Sequence, residues 1–111
     1  MTLHESYQEE INSLTKVIQK EYQPEKIILF GSAARGELRQ GSDIDMLIIK
    51  DVKGRSYDRM VDVLRLVQNV PPRLPFAPLV LTRQEFEQGL REKRYFLRQV
   101  MKDGKVLYEH S

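Results

Sequence analysis

The sequence contains no cysteine, and this absence excludes several classes of protein at once. Without thiols the chain has no disulfide framework, no cysteine nucleophile and no cysteine-ligated zinc or iron–sulfur site. It also lacks any run of 18 consecutive apolar residues, so no transmembrane span is predicted. The N-terminal segment MTLHESYQEE has neither the basic start nor the apolar stretch of a signal peptide. We therefore expect a cytoplasmic protein that does not enter a membrane.

An excess of charge of one sign is also missing, because 18 Lys and Arg residues stand against 16 Asp and Glu residues for a net charge of +2. Composition alone therefore gives no reason to predict nucleic-acid binding. Residues 71–111 are more basic than residues 1–30, which fits either an anionic partner or, more simply, a solvated helix face. The length of 111 residues and the absence of repeats predict a single domain.

Hydrophobic periodicity predicts an α/β (α+β) domain with a small mixed β-sheet and flanking helices. Ser6 and Glu9 fit a capping box that opens the first helix, Thr82 and Glu85 fit a second one, and Ser56 is a plausible N-cap between them. The middle helix is expected to bury one apolar face, formed by Tyr57, Met60, Val61, Leu64 and Val67.

Short apolar runs predict strands over residues 27–30, 44–50, 76–81 and 106–108. Pro78 cannot donate a ladder hydrogen bond, so its strand is expected at an edge of the sheet or at a bulge. The segment over residues 71–75 is too rich in proline to form helix or central strand.

Two acidic residues, Asp43 and Asp45, stand where the second predicted strand begins. Because side chains alternate along a strand, residues separated by one position point to the same face, so these carboxylates should lie side by side. Two such charges are costly to bring together without a cation, and carboxylates on a rigid element suit Mg²⁺. In a purely structural interpretation, Gly31-Ser32 would be a turn that ends a strand and Asp43 would cap a loop. That interpretation does not explain Asp45, which lies inside an apolar strand.

Gly31 and Ser32 follow the first predicted strand directly and precede a short helix-compatible stretch. Glycine lets the backbone approach an anion closely, and free N–H groups at a helix start favour a phosphate. Ser32 adds a hydroxyl and Arg35 adds a guanidinium suited to phosphate oxygens. Phosphate-binding and metal-binding groups at neighbouring strand ends together indicate phosphoryl or nucleotidyl transfer.

One stretch of the sequence resembles the signature of a known superfamily. The segment GSAARGELRQGSDIDMLI contains Gly-Ser, ten residues and Asp-x-Asp, and it is similar to the signature of the minimal nucleotidyltransferases of the DNA polymerase β superfamily. The similarity extends to the leading helix, the TRQEFE helix start and the closing GKVLYE. It implies a polymerase-β-like nucleotidyltransferase core, present as one minimal nucleotidyltransferase domain over residues 1–111.

The same resemblance implies roles for individual residues. The residues expected to bind the triphosphate of ATP are Gly31 and Ser32, with Arg35 and Ser42 as weaker candidates. The residues expected to be catalytic and to coordinate Mg²⁺ are Asp43 and Asp45. Because the motif contains no His or Cys, catalysis would depend on positioning and electrostatics rather than on a covalent intermediate.

The resemblance also implies a partner. Many of these small proteins resemble the antitoxin of a HEPN-domain RNase toxin, and they either transfer AMP from ATP to a tyrosine of the toxin or neutralise it by binding. We therefore expect a hetero-oligomer with a cognate HEPN toxin, with no membrane and no nucleic acid as partner.

The sequence departs from the family pattern at one position. The full site of the family uses a third carboxylate on the strand that precedes the helix-capping Thr, and alignment on Thr82 puts Ala77 there. Residues 63–84 contain no Asp or Glu, so another register does not restore the ligand. Asp51, Asp58 or Asp62 could replace it in principle. Two outcomes remain open, which are slower chemistry at a two-carboxylate site and an antitoxin that acts by binding alone.

An aromatic pair, Tyr95-Phe96, lies among basic residues near the C-terminal end. Three readings are possible, which are an RNA-stacking surface, a protein-partner surface and ordinary helix packing with a charged outer face. His4 and His110 have no neighbouring metal ligands in the sequence, and no function is expected for either.

Overall fold

The computed structural model describes residues 1–71 and 74–110, and over these residues it has five helices and four strands. In chain order the elements are α1 (Leu3–Tyr22), β1 (Lys26–Phe30), α2 (Gly31–Arg35), β2 (Ile44–Ile49), α3 (Ser56–Leu66), β3 (Phe76–Leu81), α4 (Arg83–Arg91), α5 (Tyr95–Asp103) and β4 (Lys105–Glu109). All four predicted strands and the predicted helices are present, with boundaries that differ from the prediction by at most four residues.

The four strands form one sheet in the order β3-β2-β1-β4. Strand β1 pairs antiparallel with both β2 and β4, whereas β2 and β3 run parallel, so the expected mixed sheet is confirmed. Strand β3 lies at an edge, which is where Pro78 was expected to place it.

Alternation along the strands gives the sheet two apolar faces, each covered by helices. On one face, Leu29 and Met46 pack in a cluster with α1 and α3, which contributes Val63. On the other face, Leu47 packs in a second cluster with Leu97 of α5. Because Asp45 is two positions before Leu47 in β2, it faces the side of the sheet that α5 covers.

Two predicted helix starts are corrected by the structure. Helix α1 begins earlier than expected, since Thr2 is the N-cap and forms the capping box with Glu5, while the Ser6 N–H already donates to the Thr2 carbonyl at 3.0 Å. The Ser/Thr-x-x-Glu pattern occurs twice in succession, and the earlier start also packs Leu3 against the core. At α3 the N-cap is Arg55 and no side chain caps the helix, so Ser56 is not a cap.

The buried face of α3 also differs from the expectation. The helix buries Arg59 and Val63, whereas Tyr57 is 68% exposed. Arg59 turns inward because its Nη1 donates to Glu85 Oε1 at 2.7 Å and to the Val80 carbonyl at 3.4 Å. An apolar pattern does not detect this, since a guanidinium is buried only where another segment supplies a partner for its charge. The capping box of Thr82 and Glu85 is confirmed.

The connection before β3 fits the expectation as far as it is described. Pro71, Leu74 and Pro75 lie outside helix and strand, while residues 72 and 73 of the predicted proline-rich segment lie outside the described residues. Within residues 1–71 and 74–110, no helix combines the length and apolarity that crossing a membrane requires.

Candidate active site

Gly31 and Asp45 meet where β1 ends and β2 begins. The antiparallel register pairs Phe30 with Asp45, and Gly31 follows directly with φ +75°. A Cβ built on Gly31 would overlap Asp45 Oδ2. The carboxylate therefore lies directly against the Gly31 backbone, which only a glycine permits, and the two predicted halves of the site are adjacent.

The electrostatics of the carboxylate pair favour a cation. Asp43 is exposed just before β2, whereas Asp45 is half-buried. Burial raises the pKa of the Asp45 carboxyl, the negative charge of Asp43 raises it further, and the positive charge of Arg35 acts in the opposite direction. A bound divalent cation would relieve this cost, and the two carboxylates fit Mg²⁺, which usually keeps several water ligands.

The third carboxylate is absent from the place where the fold would put it. The parallel register pairs Asp45 with Ala77 on β3, so an alanine methyl occupies the neighbouring position. Among the described residues, no group of three or more His, Cys, Asp and Glu side chains is arranged to hold a metal. Asp51, Asp58 and Asp62, the substitutes considered from the sequence, are all exposed and do not complete such a group.

Ser42 and Arg35 engage other groups of the protein. The Ser42 hydroxyl accepts from the Arg39 N–H at 2.8 Å, which braces the loop before β2. Arg35 is exposed, its Nε donates to Glu37 Oε1 at 2.8 Å, and its charge is felt at Asp45. Their roles in triphosphate binding, like that of the half-buried Ser32, stay predictions.

Tyr7 of α1 supports the site from the apolar core. Its ring is 1% exposed, and its hydroxyl donates to the Ser42 carbonyl at 2.6 Å. Burial raises the pKa of the Tyr7 hydroxyl, with further contributions from Asp43 and then Glu10. Helix α1 thus fixes the loop that delivers Asp43. Nothing in the spacing of the sequence indicates this hydrogen bond, because 35 residues separate the two groups.

A cavity of about 230 Å³ opens beside Gly31, between the end of β1 and helix α5. Its lining residues are Phe30, Gly31, Arg35, Phe96, Gln99, Val100 and Asp103. Phe96 meets Phe30 in an edge-to-face contact with the ring centroids 5.2 Å apart. The aromatic residue at position 96 therefore packs in part, as one of the sequence readings has it, whereas Tyr95 is 75% exposed.

A larger open groove, of about 1400 Å³, lies at the opposite end of the sheet. Its lining carries both signs of charge, and two of its residues, Arg83 and Glu25, form an ion pair with each other. Neither Asp43 nor Asp45 lines either cavity, but the smaller one is bordered by Gly31, which contacts the Asp45 carboxylate. We therefore assign the chemistry to the smaller site beside Gly31, where the carboxylate pair is.

The fold and this site together define a class of protein. Gly31, followed by Ser32 at the start of α2, lies against Asp45, on a mixed sheet with helices on both faces, as the resemblance to the nucleotidyltransferase signature implies. The chain belongs to the polymerase beta nucleotidyltransferase family, which matches residues 12–111.

Similar proteins agree with this assignment. The chain is 36% identical over 85 residues to a Methanocaldococcus jannaschii protein provisionally named a protein adenylyltransferase, with 75% of this chain and 77% of that protein covered. In fold it resembles a provisionally assigned Sulfolobus solfataricus nucleotidyltransferase, with a TM-score of 0.59, 23% identity, and 95% of this chain and 87% of the other covered.

Two further structures with the same fold are of toxin–antitoxin proteins. One is described as a toxin–antitoxin with AMP-PNP, and it has a TM-score of 0.56, 19% identity, and 90% of this chain and 73% of the other covered. The second is described as a mutant of the MntA toxin–antitoxin, with a TM-score of 0.54, 21% identity and coverages of 91% and 73%.

Proposed function

We propose that this protein transfers AMP from ATP to a hydroxyl of another protein, a tyrosine of a cognate HEPN RNase toxin, and thereby acts as a cytoplasmic antitoxin. The observation that carries the proposal is the contact between the Gly31 backbone and the Asp45 carboxylate, with Asp43 beside it. The name of the M. jannaschii relative supports protein adenylylation, and the descriptions of the toxin–antitoxin structures support the partner.

Different residues of the site bind the triphosphate and the metal ion. Gly31 and Ser32 bind the triphosphate, while Asp43 and Asp45 would hold Mg²⁺. Bound there, the ion supplies positive charge that offsets charge on the α-phosphate and the leaving pyrophosphate and lowers the pKa of the attacking hydroxyl. The hydroxyl oxygen of the acceptor forms a bond to the α-phosphorus, the bond to pyrophosphate breaks, and the hydroxyl proton leaves to solvent. Positioning of the two substrates is the contribution of the chain.

One structural observation favours a second candidate, an antitoxin that neutralises its partner by binding alone. Ala77 lies beside Asp45 where a third carboxylate would help to bind and activate the acceptor hydroxyl. Its absence lowers the rate of chemistry more than it lowers nucleotide affinity. The protein in this case keeps a nucleotide site and a toxin-binding surface without appreciable transfer.

A labelling experiment tests the proposal. The protein is incubated with α-labelled ATP, Mg²⁺ and the product of the adjacent gene as the proposed toxin, and label on a tyrosine of that protein is the expected result. Asp45→Asn should abolish labelling, whereas the matched control Asp51→Asn, an exposed acid beyond the other end of β2, should leave it intact. No labelling by the unaltered protein would contradict the transferase.

Toxin neutralisation in cells separates the two candidates. If transfer is the mechanism, Asp45→Asn fails to protect cells although it folds and binds the toxin. If Asp45→Asn protects fully, neutralisation by binding replaces transfer as the function. Thermal unfolding with and without Mg²⁺ provides the folding control and reports metal binding without reference to activity.

A further inference from the structure

The cavity beside Gly31 adjoins the proposed phosphate site. Gly31 forms part of the cavity wall and also contacts the Asp45 carboxylate, so one residue borders both spaces. Asp45 and Phe30 are paired on adjacent strands and face the side of the sheet that α5 covers. A molecule with phosphates near Asp45 would therefore have its remaining part directed toward α5.

We propose that this cavity holds the nucleoside of the triphosphate, with the base against Phe96 and with Gln99 and Asp103 as its polar contacts. The proposal rests on the proposed nucleotide-dependent function and adds the part of the site that distinguishes a nucleotide from a bare polyphosphate. It makes Phe96, Gln99 and Asp103 specificity-determining residues on a helix that the sequence motif does not include.

The size and lining of the cavity suit a nucleoside. Its volume of about 230 Å³ is smaller than pockets that enclose whole drug-sized ligands, which run from roughly 300 Å³ upward, so it accommodates one end of a nucleotide. Phe30 and Val100 give it apolar walls. The Gln99 amide offers both a donor and an acceptor for a base edge, and the Asp103 carboxylate accepts from ribose hydroxyls.

Phe96 has the exposure that a stacking residue needs. It is 44% exposed, although its ring contacts Phe30, which packs against the apolar cluster on this face of the sheet. Its edge-to-face contact with Phe30, at an interplanar angle of 86°, fixes the ring without sandwiching it. The contact therefore positions the ring and leaves part of it open for an incoming base.

The charges around the cavity set the orientation of the ligand. Asp103 contributes a negative charge at the α5 side, which repels phosphates, while Arg35 contributes a positive charge that interacts with both Asp103 and Asp45. An anionic triphosphate is consequently favoured near Arg35 and Gly31, and the uncharged nucleoside is favoured at the α5 side.

Direct binding measurements test the proposal. Calorimetric titration of ATP and of inorganic tripolyphosphate, each with Mg²⁺, should show that Phe96→Ala weakens ATP binding by about 10-fold or more and leaves tripolyphosphate binding unchanged. Tyr95→Ala is the matched control, because Tyr95 is a neighbouring exposed aromatic outside the cavity lining and should bind both ligands normally. Gln99→Ala should likewise weaken only ATP binding.

Phe96→Leu controls for the possibility that Phe96→Ala loses affinity by misfolding. Leucine retains apolar packing on Phe30 but removes the aromatic face. This variant should unfold like the unaltered protein and still lose affinity for ATP. Equal ATP affinity in the unaltered protein and Phe96→Leu would overturn the proposal, and so would an equal loss for ATP and tripolyphosphate. Failure of labelling with the toxin, with these binding differences intact, would contradict the proposed function and leave the nucleoside site standing.

Discussion

At the scale of single residues, the site depends on two groups that a substitution would disturb, the Gly31 backbone and the Tyr7 hydroxyl. Gly31 has a positive φ and a neighbouring carboxylate in the position of its missing Cβ. Tyr7 uses one hydroxyl to hold the carbonyl of Ser42. Both residues act on the carboxylates through position rather than through chemistry, so a substitution at either should lower the stability of the protein.

Gly31→Ala should destabilise the protein and abolish nucleotide binding, because the new Cβ meets Asp45 Oδ2 and the backbone is strained as well. Gly36→Ala is the matched control, since Gly36 has nearly the same φ of +74° with nothing within 4 Å of its Cβ position. The control should cost about 1–2 kcal/mol for the left-handed backbone, and Gly31→Ala should cost more. Urea denaturation measures both, and equal costs would show that the Asp45 contact is unimportant.

Tyr7→Phe should cost about 1–2 kcal/mol, because it leaves the Ser42 carbonyl without its buried donor. Tyr22→Phe is the control. The Tyr22 hydroxyl is buried with no hydrogen-bond partner among the described residues, so its removal should be neutral or slightly stabilising. Thermal unfolding compares the pair. A similar loss in both variants would mean that the Tyr7 hydrogen bond contributes nothing specific.

At the scale of elements, helices α3 and α4 are joined by one ion pair that also involves a helix cap. Arg59 of α3 is buried, and its guanidinium bonds Glu85, whose carboxylate at the same time accepts from the Thr82 N–H at 2.8 Å. The hydrogen bond with Arg59 is the main cause of the lowered pKa of Glu85. The pair therefore holds two helices that lie on opposite faces of the sheet.

Glu85→Gln should destabilise the protein by about 1–2 kcal/mol at neutral pH, since glutamine preserves the capping box but leaves the Arg59 charge without its partner. A lowered folded-state pKa contributes stability above the unfolded value of about 4.3, and this stability is lost as pH falls through the folded value. Glu85→Gln should not show this loss of folding stability below about pH 4. Stability is measured by denaturation across pH 3–7, with Glu87→Gln, an exposed neighbour, as the control. Identical pH profiles for Glu85→Gln and the unaltered protein would exclude a role for the Arg59–Glu85 pair.

At the scale of the whole molecule, the pairing of β2 with β3 decides the composition of the site. These strands are separated in the chain by α3, yet their parallel register places Ala77 beside Asp45. Strand β3 lies at an edge of the sheet, and Ala77 is half-buried opposite Asp45. A side chain at position 77 would therefore point to the same face as the carboxylates.

Ala77→Asp should raise the rate of AMP transfer by about 10-fold or more at saturating Mg²⁺, because it supplies a third carboxylate for the acceptor hydroxyl and the metal. Without Mg²⁺ the same change should lower the melting temperature, since three carboxylates then repel one another. Ala77→Asn, which matches the shape of Asp without its charge, should change neither the transfer rate nor the melting temperature in this way. A rate unchanged by Ala77→Asp would mean that the third position does not limit the reaction.

The sequence by itself determined which elements form and which residues are candidates for the site. Alternating and continuous apolar runs set the strands, because burial of those faces is the main stabilising contribution, and the capping box at Thr82 and Glu85 set a helix start. The Gly-Ser and Asp-x-Asp spacing also predicted that Gly31 and Asp45 lie at neighbouring strand ends, where the structure has them in contact.

Only the tertiary structure decided the contacts between distant segments. The inward turn of Arg59, the bond from Tyr7 to Ser42 and the position of Phe96 beside Gly31 each join residues far apart in the chain. No local pattern encodes such contacts, because a polar side chain is buried only where another segment supplies its partner. The strand register likewise fixed Ala77 next to Asp45. The residues of the motif could thus be predicted from the sequence, whereas the residues that hold them in place and the cavity beside them are set by tertiary packing.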